Sequence, residues 1–170
     1  MKKVFLLSSL LLTACFTFCQ SPGIKRIDSL ANAIDQAAWL EIRDTINNEM
    51  AEAGVSSQTV VTMLTDGKQL LKYTNHVNIG RRQADSMAYT RYTSLFYFLD
   101  KKLSLAVDSA NTSKGSLVTR YYFEDGQCIY PAKTDERTQK RINTLQEIAK
   151  GMQQAIAPRL GSPGSGTRNN

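Results

Sequence analysis

Apolar residues recur at three- and four-residue steps from Ile24 to Met50: Ile24, Ile27, Ala31, Ile34, Ala38, Ile42, Ile46 and Met50. That spacing lays one apolar stripe along a helix and leaves Arg26, Asp35, Glu41 and Asn48 on its other sides. It predicts helix from Ile24 to Ala53. Gly54 is the expected stop, because glycine accepts the left-handed conformation past a helix end. Trp39 and Leu40 fall off the stripe, so the segment reads as two helices or one bent one.

From Thr59 to Tyr130 the pattern becomes that of strands. Three times an apolar or aromatic run meets a short turn opening with Asp and then a second run. The runs are Val60–Thr65 before Asp66-Gly67, Leu95–Leu99 before Asp100-Lys101, and Tyr121–Glu124 before Asp125-Gly126. Asp-Gly favours the type I′ hairpin turn, which requires positive φ at both positions. Asp100-Lys101 suits that turn less well. If each loop has two residues, Phe98 faces Leu103, Phe96 faces Leu105, Phe123 faces Cys128 and Tyr121 faces Tyr130. Asn78–Asp85 and Ser109–Ser116 are the most polar stretches and read as loops.

A second helical stripe follows Thr134, an expected cap: Ile142, Leu145, Ile148, Ala149, Met152 and Ile156, ended by Pro158. The fold class implied is α+β. An antiparallel sheet of about six strands, built from three hairpins, is packed on one face by an N-terminal and a C-terminal amphipathic helix. The single domain spans 20–158. Positions 161–170 hold no apolar side chain able to anchor them, and the tail 159–170 is expected to be disordered.

The segment Tyr121-Tyr122-Phe123-Glu124-Asp125-Gly126-Gln127-Cys128-Ile129-Tyr130 resembles an aromatic hairpin found in small exported bacterial proteins of uncharacterised function. Both show an aromatic pair, an acidic-Gly turn and an aliphatic return. The resemblance covers this hairpin and implies no site residues.

The N-terminus has a different grammar. Met1-Lys2-Lys3 is a short positive start, Val4–Leu12 is almost wholly apolar, and small and polar residues follow to Gly23. This is the layout of an export signal. The apolar run is short for a membrane span, which needs ~20 residues. Two cuts fit. Leu12-Thr13-Ala14-Cys15 resembles a lipobox, which makes residues 1–14 a lipoprotein signal and Cys15 the acylated N-terminus. A cut before Gln20 makes residues 1–19 a simple export signal. Phe16-Thr17-Phe18 counts against the lipobox, because an acylated Cys is usually followed by a polar tether. The expected location is periplasmic or secreted, or a membrane if Cys15 is acylated.

Charge and cysteine usage narrow the chemistry. Loss of Lys2 and Lys3 with the signal lowers the formal charge from +6 to +4. The surplus is spread over Arg81-Arg82, Lys101-Lys102 and Lys140-Arg141 rather than one stripe, which argues against nucleic acid as a partner. With Cys15 and Cys19 at the signal, Cys128 is left alone, and one thiol makes neither an internal disulfide nor a zinc site.

Candidate site residues are few. His76 is the one histidine, and nothing around it in sequence marks a nucleophile. Glu124 and Asp125 are adjacent, but strand neighbours point to opposite faces and the turn already explains Asp125. Gly115 and Gly126 are isolated turn glycines rather than a phosphate cradle. No cofactor or metal is expected. The aromatic residues of the strands belong mostly to the core, with Tyr97 and Tyr122 expected on an outer face able to bind a carbohydrate or a protein. Asp85-Ser86-Met87 and Asp108-Ser109-Ala110 resemble an Asp-Ser-apolar acceptor for O-glycosylation, with Ser86 and Ser109 read as loop sites. The function expected is a non-catalytic exported binding or envelope-accessory module using an aromatic sheet face. The alternatives are a hydrolase with a loop-assembled site near His76 and a lipid-anchored structural protein.

Overall fold

The computed structural model describes residues 21–50, 54–83, 86–113 and 115–160. The segment read as an export signal, with Cys15, and positions 161–170 of the expected tail lie outside the described residues. Helix α1 (Pro22–Gln36) is followed by strands β1 (Leu40–Met50), β2 (Val55–Thr65), β3 (Leu70–Gln83), β4 (Ser86–Leu99), β5 (Lys102–Thr112), β6 (Gly115–Glu124) and β7 (Gln127–Tyr130). Helix α2 (Glu136–Ile156) and a short 3₁₀ turn (Ala157–Arg159) close the chain. The strands form one antiparallel sheet in the order of the sequence, each pairing only with its chain neighbours. The α+β class with an antiparallel sheet is as expected, with seven strands where about six were predicted.

The extra strand comes from the segment read as helix. Helix α1 opens with Ser21 accepting from the Ile24 N–H and with Pro22 in the first turn. It buries Ile24, Ile27, Ala31 and Ile34 and then stops. The Trp39 indole donates to the Ile34 carbonyl at 2.9 Å, occupying an acceptor the helix end leaves orphaned. Beyond it, Ile42, Ile46 and Met50 are spaced by four, a step that fits helix and strand alike because it is a multiple of two. The β-branched Ile42, Thr45 and Ile46 favour the strand, and Leu40–Met50 pairs with Val55–Thr65 along its whole length. The polar segments read as loops are strand as well: Asn78–Gln83 continues β3 and Ser109–Thr112 continues β5.

The two helices lie on opposite faces of the sheet, not on one. Ile24, Ile27, Ala31 and Ile34 of α1 pack with Leu71, Tyr97, Leu105 and Tyr122. Ile142, Leu145, Ala149 and Ile156 of α2 pack with Leu70, Phe96, Phe98, Ala106, Tyr121 and Phe123. Both faces of β4–β6 are therefore apolar at this end. The aromatic runs reflect that double burial, as near-continuous apolar strands do when covered on both sides.

Irregularities in pairing sort the side chains between the faces. Phe98 does face Leu103, and Phe123 faces Cys128. A shift between Tyr97 and Phe98 then sets Phe96 opposite Ala106 and Tyr97 opposite Leu105. Leu103 joins the α2 side and Leu105 the α1 side as a result. A similar shift in the last hairpin sets Tyr122, not Tyr121, opposite Tyr130. The Asp100-Lys101 turn has two residues with φ of 50° and 61°, the positive values of a type I′ turn. The Asp66-Gly67 loop is longer than expected, since Thr65 pairs with Leu70.

Asp135, not Thr134, caps α2, accepting from the Thr138 N–H at 2.7 Å. Leu160 packs against the α2-side core, so ordered chain runs past the boundary expected at 158.

Polar contacts key each helix to its face. The Tyr97 hydroxyl donates to Asp35 of α1 at 2.9 Å, and the Lys72 ammonium reaches the same carboxylate at 2.6 Å. One turn-pair earlier, the Tyr122 hydroxyl donates to Asp28 at 2.9 Å, with Arg120 alongside at 3.7 Å. On the other face, Arg141 of α2 grips Asp108 through two hydrogen bonds of 2.8 and 2.9 Å, and Ser94 donates to that carboxylate at 2.8 Å.

Candidate functional site

Helix α1 covers only one end of its face, and the strands run on beyond it. Register alone determines what the uncovered part displays. Asn47 lies opposite Gln58, Gln58 opposite Asn78, Asn78 opposite Arg91 and Arg91 opposite Asn111. These five side chains form a row across β1–β5 on the α1 face. Gln58 donates to the Asn47 carbonyl oxygen at 3.1 Å, and the Arg91 Nε donates to that of Asn78 at 2.9 Å. The amide heads are thus orientated along the row.

A second row lies further out: Glu49 opposite Ser56, Ser56 opposite Gly80, and Gly80 opposite Tyr89. Gly80 has no side chain, so the sheet floor beside the Tyr89 ring is bare. Tyr89 is 66% exposed. Together the two rows line an open groove of about 960 Å³, with Ser57, Asn48 and Thr112-Ser113 at its margins. Among the described residues, Glu49 and Arg91 are the charged side chains that line it, one of each sign. The groove offers amide donors and acceptors, hydroxyls and one exposed ring, and the charges of its described lining residues balance.

Sequence reasoning placed the site elsewhere. Tyr97 and Tyr122 are 5% and 3% exposed beneath α1, and their hydroxyls are taken by Asp35 and Asp28. They form no outer face. Burial is the main reason both phenols are held above the ordinary tyrosine range. Ser109 lies within β5 between Thr93 and Val118, not in a loop. Ser86 opens β4 opposite Gln83. Asp125 sits in its turn at φ 49° and pairs with Lys102 at 3.0 Å, while Glu124 pairs with Arg26 at 2.8 Å. The Cys128 thiol, half-buried and raised by that burial, donates to the Tyr130 carbonyl at 3.1 Å.

His76 stands one row nearer α1 than the amide row. Its Nδ1 is 2.8 Å from the Thr93 hydroxyl. Burial lowers its pKa, and the nearby cations Arg91, Lys72 and Arg43 lower it further. Among the described residues, no group of three or more His, Cys, Asp or Glu side chains is placed to share a metal ion.

The groove residues were hidden by the loop reading of Asn78–Asp85. The available signal was the recurrence of polar residues at alternate positions, Asn47 and Glu49, Ser56 and Gln58, Asn78 and Gly80, which is the period of a strand face. Comparison of the chain with protein-family models, curated proteins and solved structures returned no match. Among the described residues, no helix is long and apolar enough to cross a membrane.

Proposed function

We propose that this chain is a non-catalytic exported binding module whose ligand is a neutral, hydroxyl-rich molecule of the carbohydrate class. The observation that carries this reading is the orientated row Asn47–Gln58–Asn78–Arg91–Asn111 beside the exposed Tyr89 ring. Side-chain amides donate and accept in one plane, which suits vicinal hydroxyls that do the same. A tyrosine ring offers flat apolar area with a polar tip, suited to a sugar ring's apolar face. Among the described lining residues one Glu balances one Arg, which favours a ligand without strong charge.

Glycan-array binding followed by calorimetry tests the reading. Tyr89→Ala and Asn78→Ala are each expected to weaken an identified glycan by roughly tenfold, the effect of about 1.4 kcal/mol. Unchanged affinity in both variants would move the ligand off this groove. A hydrolase centred on His76 is the second reading, supported by the His76–Thr93 contact. Against it, the Nδ1 partner is the Thr93 hydroxyl, where a general base is commonly orientated by a carboxylate. Hydrolysis of a glycoside or ester panel that disappears with His76→Ala would reverse this ranking.

A further inference from the structure

The sheet has two edges, and they are built differently. The outer edge is β1, which carries Glu41, Arg43, Asp44 and Glu49, all exposed. Charges of this kind on an edge strand discourage pairing with another chain. The other edge is divided. Strand β7 covers β6 only from Tyr122 to Glu124, and Pro131, which has no N–H to offer, follows directly. Among the described residues, no strand pairs with the outer side of β6 from Gly115 to Tyr121.

Hairpin geometry shows which backbone groups this leaves facing outwards. Residues flanking a two-residue turn form a hydrogen-bonded pair. Thr112 and Gly115 flank the turn before β6, so Gly115, Leu117, Thr119 and Tyr121 bond to β5. Glu124 and Gln127 flank the turn after it, so Glu124 and Tyr122 bond to β7. Both ends of the strand agree that Ser116, Val118 and Arg120 turn their N–H and C=O groups away from β5. Side chains on this stretch are uncharged from Gly115 to Thr119, and Leu117 and Val118 are 68% and 58% exposed on opposite faces.

We infer that β6 pairs antiparallel with β6 of a second copy, about a two-fold axis at Val118. The edge is self-complementary in that register. Val118 faces the partner's Val118, Ser116 faces the partner's Arg120, and Leu117 faces the partner's Thr119. Three facing pairs, 116 with 120, 118 with 118 and 120 with 116, each exchange two backbone hydrogen bonds. No like charges meet, since each Arg120 lies against a serine and remains beside its own Asp28 at 3.7 Å. A parallel arrangement in the same position would set arginine against arginine, and pairing with β1 would set this uncharged stretch against the exposed Glu41, Arg43, Asp44 and Glu49. Two-fold pairing also closes the assembly at β6, leaving the charged β1 edges and the short β7 strands outside.

The test uses the chain without its signal and begins with sedimentation equilibrium across a concentration series. Dimers are expected to form as concentration rises, and a monomer up to the solubility limit would overturn the proposal. Hydrogen exchange on the unmodified chain locates the contact without any variant. Amides of Ser116, Val118 and Arg120 are expected to gain at least tenfold protection between dilute and concentrated samples. Concentration-independent exchange at all three would overturn it. Val118→Lys sets like charges together on the axis and is expected to abolish the dimer. Mixing it with Val118→Glu is expected to restore association as a heterodimer. A Val118→Lys chain that still dimerises would place the contact elsewhere.

Discussion

Tyr97 and Phe98 are joined by one peptide bond yet sit at the centres of two separate cores. Tyr97 is buried under α1 with its hydroxyl on Asp35, and Phe98 is buried under α2, 1% exposed. Strand alternation alone sends neighbours to opposite faces. Here both faces are covered, so both rings are lost to solvent, and each helix is held by its own set of contacts.

Removing the Tyr97 hydroxyl separates the polar key of α1 from its apolar packing. Tyr97→Phe keeps the ring under α1 but leaves Asp35 to Lys72 alone. A hydrogen bond to a charged group contributes about 1.5–3 kcal/mol, and the partly exposed carboxylate places the loss at the lower end. Urea unfolding should show a lower midpoint with an unchanged slope.

On the other face, Asp108→Ala breaks the double hydrogen bond from Arg141 and strands the Ser94 hydroxyl. The expected loss is about 1–3 kcal/mol, since neither ion is fully buried. Leu145→Ala, at a side chain with no exposure, should cost about 2–5 kcal/mol. A loss from Asp108→Ala above about 3 kcal/mol on the same unfolding curve would mean that the ion pair matters more than its exposure allows.

Alkaline pH should weaken the fold through its buried phenols. Burial holds Tyr97, Tyr122, Tyr121 and Tyr73 above the ordinary value of 10.0 in the folded chain. The unfolded chain therefore releases these protons first. Their contribution is complete below pH 10.0 and is lost as pH rises through the folded-state values. His76 acts at the other end of the scale. Its pKa lies below 6.5 in the folded chain, so its contribution is present above 6.5 and is lost as pH falls through the folded value. Denaturation midpoints from acid to alkaline pH check both signs, with His76→Gln expected to reduce the slope just below pH 6.5 and to leave the alkaline limb unchanged.

Lys101→Gly should stabilise the protein. Lys101 has a φ of 61°, and an L side chain pays roughly 1 kcal/mol or more for that conformation. Glycine removes the penalty and keeps the carbonyl that accepts from Gln153 of α2. The greater freedom of glycine in the unfolded chain offsets part of the gain. A rise in midpoint temperature is expected, and a fall would mean that the lysine side chain holds a contact worth more than the strain.

These contrasts show where sequence patterns were sufficient. The α2 stripe was legible from helical periodicity, although Asp135 and not Thr134 caps it, and the Asp125-Gly126 turn was legible from its Asp-Gly chemistry. The Ile42–Ile46–Met50 spacing was ambiguous, since a step of four serves both periods. Bulges decided which of Leu103 and Leu105 belongs to which core, and no residue type announces a bulge in this strand. The groove was illegible for a related reason. Asn47, Gln58, Asn78, Arg91 and Asn111 are far apart in the chain, and only the register of five strands sets them in one row.

The agreement between strand order and chain order bears on how the molecule comes into being. Each strand finds its partner in the segment made just before it, so loops to be closed are short and their entropic cost is small. A growing chain can add one strand at a time to the edge already formed, with α2 arriving last to seal the second core. The same local wiring makes the sheet extensible. Inserting or deleting one hairpin restores the direction of the chain, so the sheet can gain or lose a pair of strands without redirecting either helix.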